Sequence, residues 1–172
     1  MSSKKSEAIW QKFIEKMEAE AGRRGVEFSL ARFSHEATGT QQRRTCAIFK
    51  QENGQRKSPY GLYVKISSEQ NPAYWWGLNP TITDWAKVLQ GKGIPVGVVF
   101  LAGNEECGYF VPGKCLPTVL AKLSRQKKDG EYKVGERNLE GYGVVFRRTG
   151  QLYDILGING EESGAPTDKG AG

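Results

Sequence analysis

Cationic side chains interleaved with large aromatic rings are the chemistry that stands out along this chain. Arg43, Arg44, Lys50, Arg56, Lys57 and Lys65 fall within one stretch whose only acidic residue is Glu52. Tyr60 and Tyr63 share that stretch, and Tyr74, Trp75 and Trp76 follow it. Lysine and arginine neutralise phosphates and give an affinity that weakens with salt. Flat rings offer faces on which an unstacked or flipped base can lie. Adjacent residues of a strand point to opposite sides, so at least one of Trp75 and Trp76 is expected to fill core. A second basic block, residues 114–148, holds nine basic and four acidic side chains. Within it Arg125, Lys127, Lys128 and Lys133 are expected to hold flanking backbone. The stretch between the blocks is mildly acidic, and the total charge is +6. That spacing suggests a polyanion-facing surface rather than charge spread for solubility.

Other chemistries find little support. His35 is the one imidazole and lies in a polar stretch with nothing beside it to fix its tautomer, so a nucleophile–histidine pair is not expected. Cys46, Cys107 and Cys115 have no CxxC pairing. With one histidine they make a poor zinc set and read as reduced structural thiols. Gly91-Lys92-Gly93 lacks the GxxxxGK[ST] pattern of a phosphate loop, and no GxGxxG occurs. Neither a metal nor another cofactor is expected.

These side chains need positions, and the sequence supplies elements for them. The chain has 172 residues, 38% of them apolar and 10% aromatic. That suits one globular domain, taken as residues 1–158, followed by a Gly-, Glu-, Ser- and Pro-containing linker at 159–172. No apolar run approaches the ~20 residues of a membrane span. The start, Met1-Ser-Ser-Lys-Lys, lacks the apolar core of a signal peptide, so a cytoplasmic location is expected.

Trp10, Phe13, Ile14, Met17 and Ala21 form one helical stripe, capped by Ser6 and stopped around Gly22 and Gly25. Val26, Phe28 and Leu30 alternate as a strand, and 34–42 reads as a loop. Thr45 to Lys50 and Tyr60 to Ile66 make a hairpin about Asn53-Gly54, with Pro59 predicting a longer connection than two residues. Thr81 with Asp84 resembles a capping box for a helix burying Trp85, Val88 and Leu89. Val96 to Ala102 reads as a central strand buried on both faces. Gly108 to Val111 is another strand, and Leu116 to Leu123 a helix. Residues 124–138 read as a charged loop or weak hairpin. Tyr142 to Phe146 is a final strand before a short helix at Leu152 to Leu156. The fold class is α+β: a curved, mostly antiparallel mixed sheet with the N-terminal helix and two short helices packed on it.

The order helix, strand, hairpin, helix, strand resembles the restriction-endonuclease core, whose mark is an Asp followed by Glu-x-Lys on adjacent strands. Lys65 of Tyr63-Val64-Lys65 sits where that lysine would fall, but Tyr63 takes the acidic position. Tyr74-Trp75-Trp76-Gly77-Leu78, the apolar strand and Gly108-Tyr-Phe-Val-Pro112 resemble the DNA-recognition domains of McrB-like and LlaJI-like restriction systems, over residues 60–123. That resemblance implies double-stranded DNA as partner, with a modified or flipped base, and further domains that carry the catalysis. The expectation is thus a non-catalytic DNA-binding module, selective for sequence or modification, serving as the specificity domain of a restriction-type protein. A divergent metal-dependent nuclease is the alternative, and an RNA- or protein-binding adaptor the third.

Overall fold

The computed structural model describes residues 2–30, 44–123 and 130–158. In chain order the elements are α1 (Ser2–Arg24), β1 (Glu27–Ser29), β2 (Thr45–Glu52), β3 (Gln55–Ser67), β4 (Trp75–Leu78) and α2 (Ile82–Gly91). They continue with β5 (Val96–Ala102), β6 (Gly108–Pro112), a 3₁₀ turn at Gly113–Cys115 and α3 (Leu116–Ala121). The last are β7 (Tyr132–Gly135), α4 (Glu136–Leu139), β8 (Val144–Phe146) and α5 (Gln151–Ile155).

Six strands form one sheet in the order β1-β2-β3-β5-β6-β8, and β4 pairs with β7 in a separate ribbon. Among the described strands only β3 and β5 run parallel, with Tyr63 opposite Val98 and Lys65 opposite Phe100. Parallel neighbours need a crossover, which β4 and α2 supply. This is the α+β mixed sheet expected, with two further short helices.

Strand alternation divides the core. Cys46, Ile48, Leu62, Val64, Val99 and Leu101 face α1 and α5, meeting Phe13, Met17 and Tyr153. Tyr63, Val98, Phe100 and Val111 face the other way, toward Trp76, Trp85, Leu89 and Val134. The stripe of α1 packs as its spacing predicts, with Phe13 and Met17 fully buried. Arg24 closes α1 against α5 and the residues just after it, donating to Glu20 at 2.6 Å, Asp154 at 2.8 Å and the Ile158 carbonyl at 2.7 Å.

Several local expectations need correction. The hairpin turn has two residues after all, because Glu52 pairs with Gln55. Asn53 and Gly54 both take positive φ, 54° and 76°, as a type I′ turn requires. Pro59 does not lengthen the turn: the register shifts between Phe49 and Gln51, and that irregularity lies beside the Pro59–Phe49 pair. A bulge is where a residue lacking its N–H does least harm to a ladder. The capping box at Thr81 is absent. Thr81 is already helical in backbone, its hydroxyl has no partner, and the side-chain oxygen of Asn79 accepts from its N–H at 2.9 Å. Val88 is exposed. The charged stretch after Leu123 contains β7 and α4, which propensity did not reveal. No helix among the described residues is long and apolar enough to cross a membrane.

Candidate nucleic-acid interface

The basic and aromatic residues divide between two ends of β3. Lys50 is exposed near the hairpin tip, and Gln51 pairs with Arg56 there. The side chains of Arg56 and Lys57 lie outside the described residues, as do Arg43, Arg125, Lys127, Lys128 and His35. Eight residues of strand separate Lys57 from Lys65, about 26 Å at the usual rise. Lys65 therefore belongs to a different place from the hairpin tip.

At the far end of β3, Thr45 pairs with Tyr63, and Lys65 follows on the same face. Thr45 and Tyr63 are 3% and 8% exposed. The Lys65 ammonium lies 5.7 Å from the centre of the Tyr63 ring. Burial, opposed by the nearby Glu131 carboxylate and reinforced by Arg44, lowers the Lys65 pKa from its ordinary value. Burial, with Glu131 adding to it, pushes the Tyr63 phenol up to about 12. Arg44 leans toward α1, 3.5 Å from Glu7.

Glu131 is the residue that sequence reasoning missed. It precedes β7, which pairs with β4 so that Gly77 faces Lys133 and Trp76 faces Val134. A Cβ at Gly77 would stand 2.5 Å from a Glu131 carboxylate oxygen. The absent side chain thus makes the seat for that carboxylate. A glycine inside a four-residue strand is the available sequence signal, since such glycines mark close approach. Gly77→Ala should displace Glu131 from Tyr63 and Lys65. The measurable outcome is a change in the Lys65 titration followed by NMR, and an unaltered titration would count against this seating.

The two tryptophans part company. Trp76 is 1% exposed, and its indole N–H donates to the Leu101 carbonyl at 3.0 Å. Trp75 is 43% exposed, with the Lys133 ammonium 4.8 Å from its ring centre. Its backbone N–H donates to the Ser67 hydroxyl at 3.4 Å. Tyr74 is half-buried and covers Gly103, where any Cβ would collide with the phenol.

A magnesium centre does not fit these residues. Hard-oxygen ligands beside a scissile phosphate are what such an ion needs. Thr45 and Tyr63, which face each other across β2 and β3 beside Lys65, supply no carboxylate. Among the described residues no three His, Cys, Asp or Glu side chains gather where a metal could be held. What the site does hold is an ammonium partly withdrawn from water, a carboxylate acting on it, and an aromatic rim.

No family model matches the chain, and no curated protein matches it. Among solved structures it is similar to Archaeoglobus fulgidus Hjc, a Holliday junction resolvase from an archaeal hyperthermophile. The likeness has a TM-score of 0.46 and 14% sequence identity, and covers 83% of this chain and 98% of that one. The expectation of a non-catalytic specificity module stands corrected: the similar structure is named a Holliday junction resolvase, not a recognition domain, and no McrB-like or LlaJI-like family model matches.

Proposed function

We propose that this chain is a divergent nuclease that binds DNA and acts on its phosphodiester backbone at the Lys65 end of β3. The observation that carries the reading is a half-buried Lys65 whose charge the Glu131 carboxylate acts on, at the strand position where restriction-endonuclease cores place their lysine. A partly desolvated ammonium interacts more strongly with a phosphate than one in bulk water. Fixed charges aimed at developing transition-state charge supply much of an enzyme's rate. Glu131 is suited to accept the proton of an attacking water while Lys65 offsets the added charge on the phosphate. The broken P–O bond leaves an oxygen that takes its proton from solvent. Arg43, Arg44, Lys50, Arg56, Lys57, Arg125, Lys127, Lys128 and Lys133 serve as phosphate contacts that hold the DNA.

Supercoiled plasmid and a four-way DNA junction, incubated with Mg²⁺, with Mn²⁺ and with EDTA, test the reading. Cleavage that persists in EDTA is expected, falling by about 100-fold or more in Glu131→Gln, the scale on which general bases act. No product from either substrate in any condition would overturn the nuclease. Cleavage that EDTA abolishes would overturn the Lys65–Glu131 chemistry.

A further inference from the structure

Next to the Lys65 centre lies a cavity of about 320 Å³ that the phosphate chemistry leaves unused. It opens between the C-terminal end of β3 and the start of β4, and Trp75 forms one wall. Ser67, Ser68, Glu69, Asn71 and Gly77 also line it. Its volume is at the small end of the ~300–1,000 Å³ usual for ligand pockets. The composition suits a planar, polar-edged guest. One broad ring gives a stacking face, while hydroxyl and amide groups can meet the edge of a heterocycle.

Three further observations narrow the guest. Lys133 over the Trp75 indole sets a cation beside the ring that walls the cavity, which favours a guest that carries an anion. Gly77 both lines the cavity and seats the Glu131 carboxylate, so cavity and phosphate centre meet at one residue. Glu69 at the rim is already paired with Lys5 at 2.7 Å, which reduces its repulsion of an anionic ligand.

We propose that this cavity takes an unpaired nucleobase, stacked on Trp75, from a DNA strand whose adjoining phosphate lies toward Lys65. A base inside a duplex has both faces covered and its pairing edge engaged, so it cannot enter without first leaving the stack. A base already unpaired enters without that cost. The substrate class is therefore DNA carrying an unpaired nucleotide, such as a bulge, a junction or a single-stranded end. This inference rests on the DNA-acting reading above and adds to it a selectivity that the phosphate centre alone would not give.

The test compares a fluorescein-labelled duplex with the same duplex bearing one bulged adenine, titrated with protein at fixed salt and followed by anisotropy. The bulged duplex is expected to bind about tenfold more tightly, which is about 1.4 kcal/mol and within the range for stacking one base on a ring. Trp75→Ala should remove the difference between the duplexes, and Trp75→Phe should keep part of it. The melting temperature of each variant reports whether the fold is intact, and Trp75→Phe stands in should Trp75→Ala prove unstable. Equal wild-type affinity for both duplexes would overturn the base site and leave the DNA reading standing. Binding to neither duplex would overturn both. A preference that survives Trp75→Ala would overturn the placement on Trp75. Saturation by free dAMP at the same site, without any duplex preference, would assign the cavity to a free nucleotide and overturn a role in substrate choice.

Discussion

Lys65→Met is expected to cut DNA cleavage by about 100-fold or more and, in the same protein, to raise the melting temperature. The first effect follows from removing a fixed charge aimed at the phosphate, a loss that costs factors of about 10²–10³ in well-studied active sites. The second follows from burial. Desolvation lowers the Lys65 pKa below the ordinary 10.5, despite the opposing help of Glu131. Between the lowered value and 10.5 the unfolded chain binds more protons at this position than the folded one. Stability therefore rises with pH across that window. Below it the cost of holding a charged lysine under cover is present in full. Methionine has a similar reach and carries no charge, so its stabilising effect should be greatest at neutral and acid pH and shrink toward pH 10.5. Cleavage by the wild type should fall as pH rises through the lowered Lys65 value, because the neutral amine no longer offsets phosphate charge. Thermal melts of both proteins across pH, set beside their cleavage rates, make the check. A variant less stable than wild type at every pH would show that the ammonium is well compensated, and a fully active one would remove Lys65 from the chemistry.

Much of this arrangement was legible in the sequence wherever a local rule had a single outcome. Asn53-Gly54 marks the hairpin because few residue pairs take positive φ twice in succession. Val96 to Ala102 reads as a central strand because its run is almost wholly apolar, and its first six residues are indeed buried. The place of Lys65 on the second strand of that hairpin was legible too, whereas the parallel pairing of β3 with β5 was not. What escaped depends on distance along the chain. Strand β7 has four residues, and nothing in Tyr132 to Gly135 signals a partner at Trp75 to Leu78. Glu131 consequently read as one more charge in a loop, although pairing across that separation brings it to β3. The charge blocks misled in a similar way. They are contiguous in sequence, yet a thirteen-residue strand carries Arg56 and Lys65 to different ends of the sheet. Charge counting sees neither direction nor length. The Tyr74 to Leu78 cluster was ambiguous for a simpler reason: alternation says that Trp75 and Trp76 part, but not which of them goes inward.

That division has a thermodynamic consequence, and the contrast between Trp76→Ala and Trp75→Ala should expose it. Trp76 meets Phe100 edge-on at 5.3 Å and 69°, and Tyr109 at 6.3 Å and 82°. Its indole N–H is the donor to the Leu101 carbonyl, so truncation empties a large volume and removes a buried hydrogen bond together. Large-to-small changes of this kind cost about 3–5 kcal/mol. Against a total of about 5–15 kcal/mol for a domain, that is a large share. At about 2–4 °C per kcal/mol for a chain of this size, the melting temperature should drop by about 10 °C. Trp76→Phe keeps much of the packing but not the donor, so it should fall between wild type and alanine, by about 1–3 kcal/mol. Trp75→Ala removes a half-exposed ring from the ribbon's outer side and should shift stability by a few tenths of a kcal/mol. Because Trp76 ties the β4–β7 ribbon to β5, its loss should also loosen the seat of Glu131 and lower cleavage, whereas Trp75→Ala should leave hydrogen exchange in the ribbon unchanged. Urea titrations of the three variants decide the matter. Equal losses at the two positions would mean that both rings are structural, and Trp75 would then lose its claim to a base.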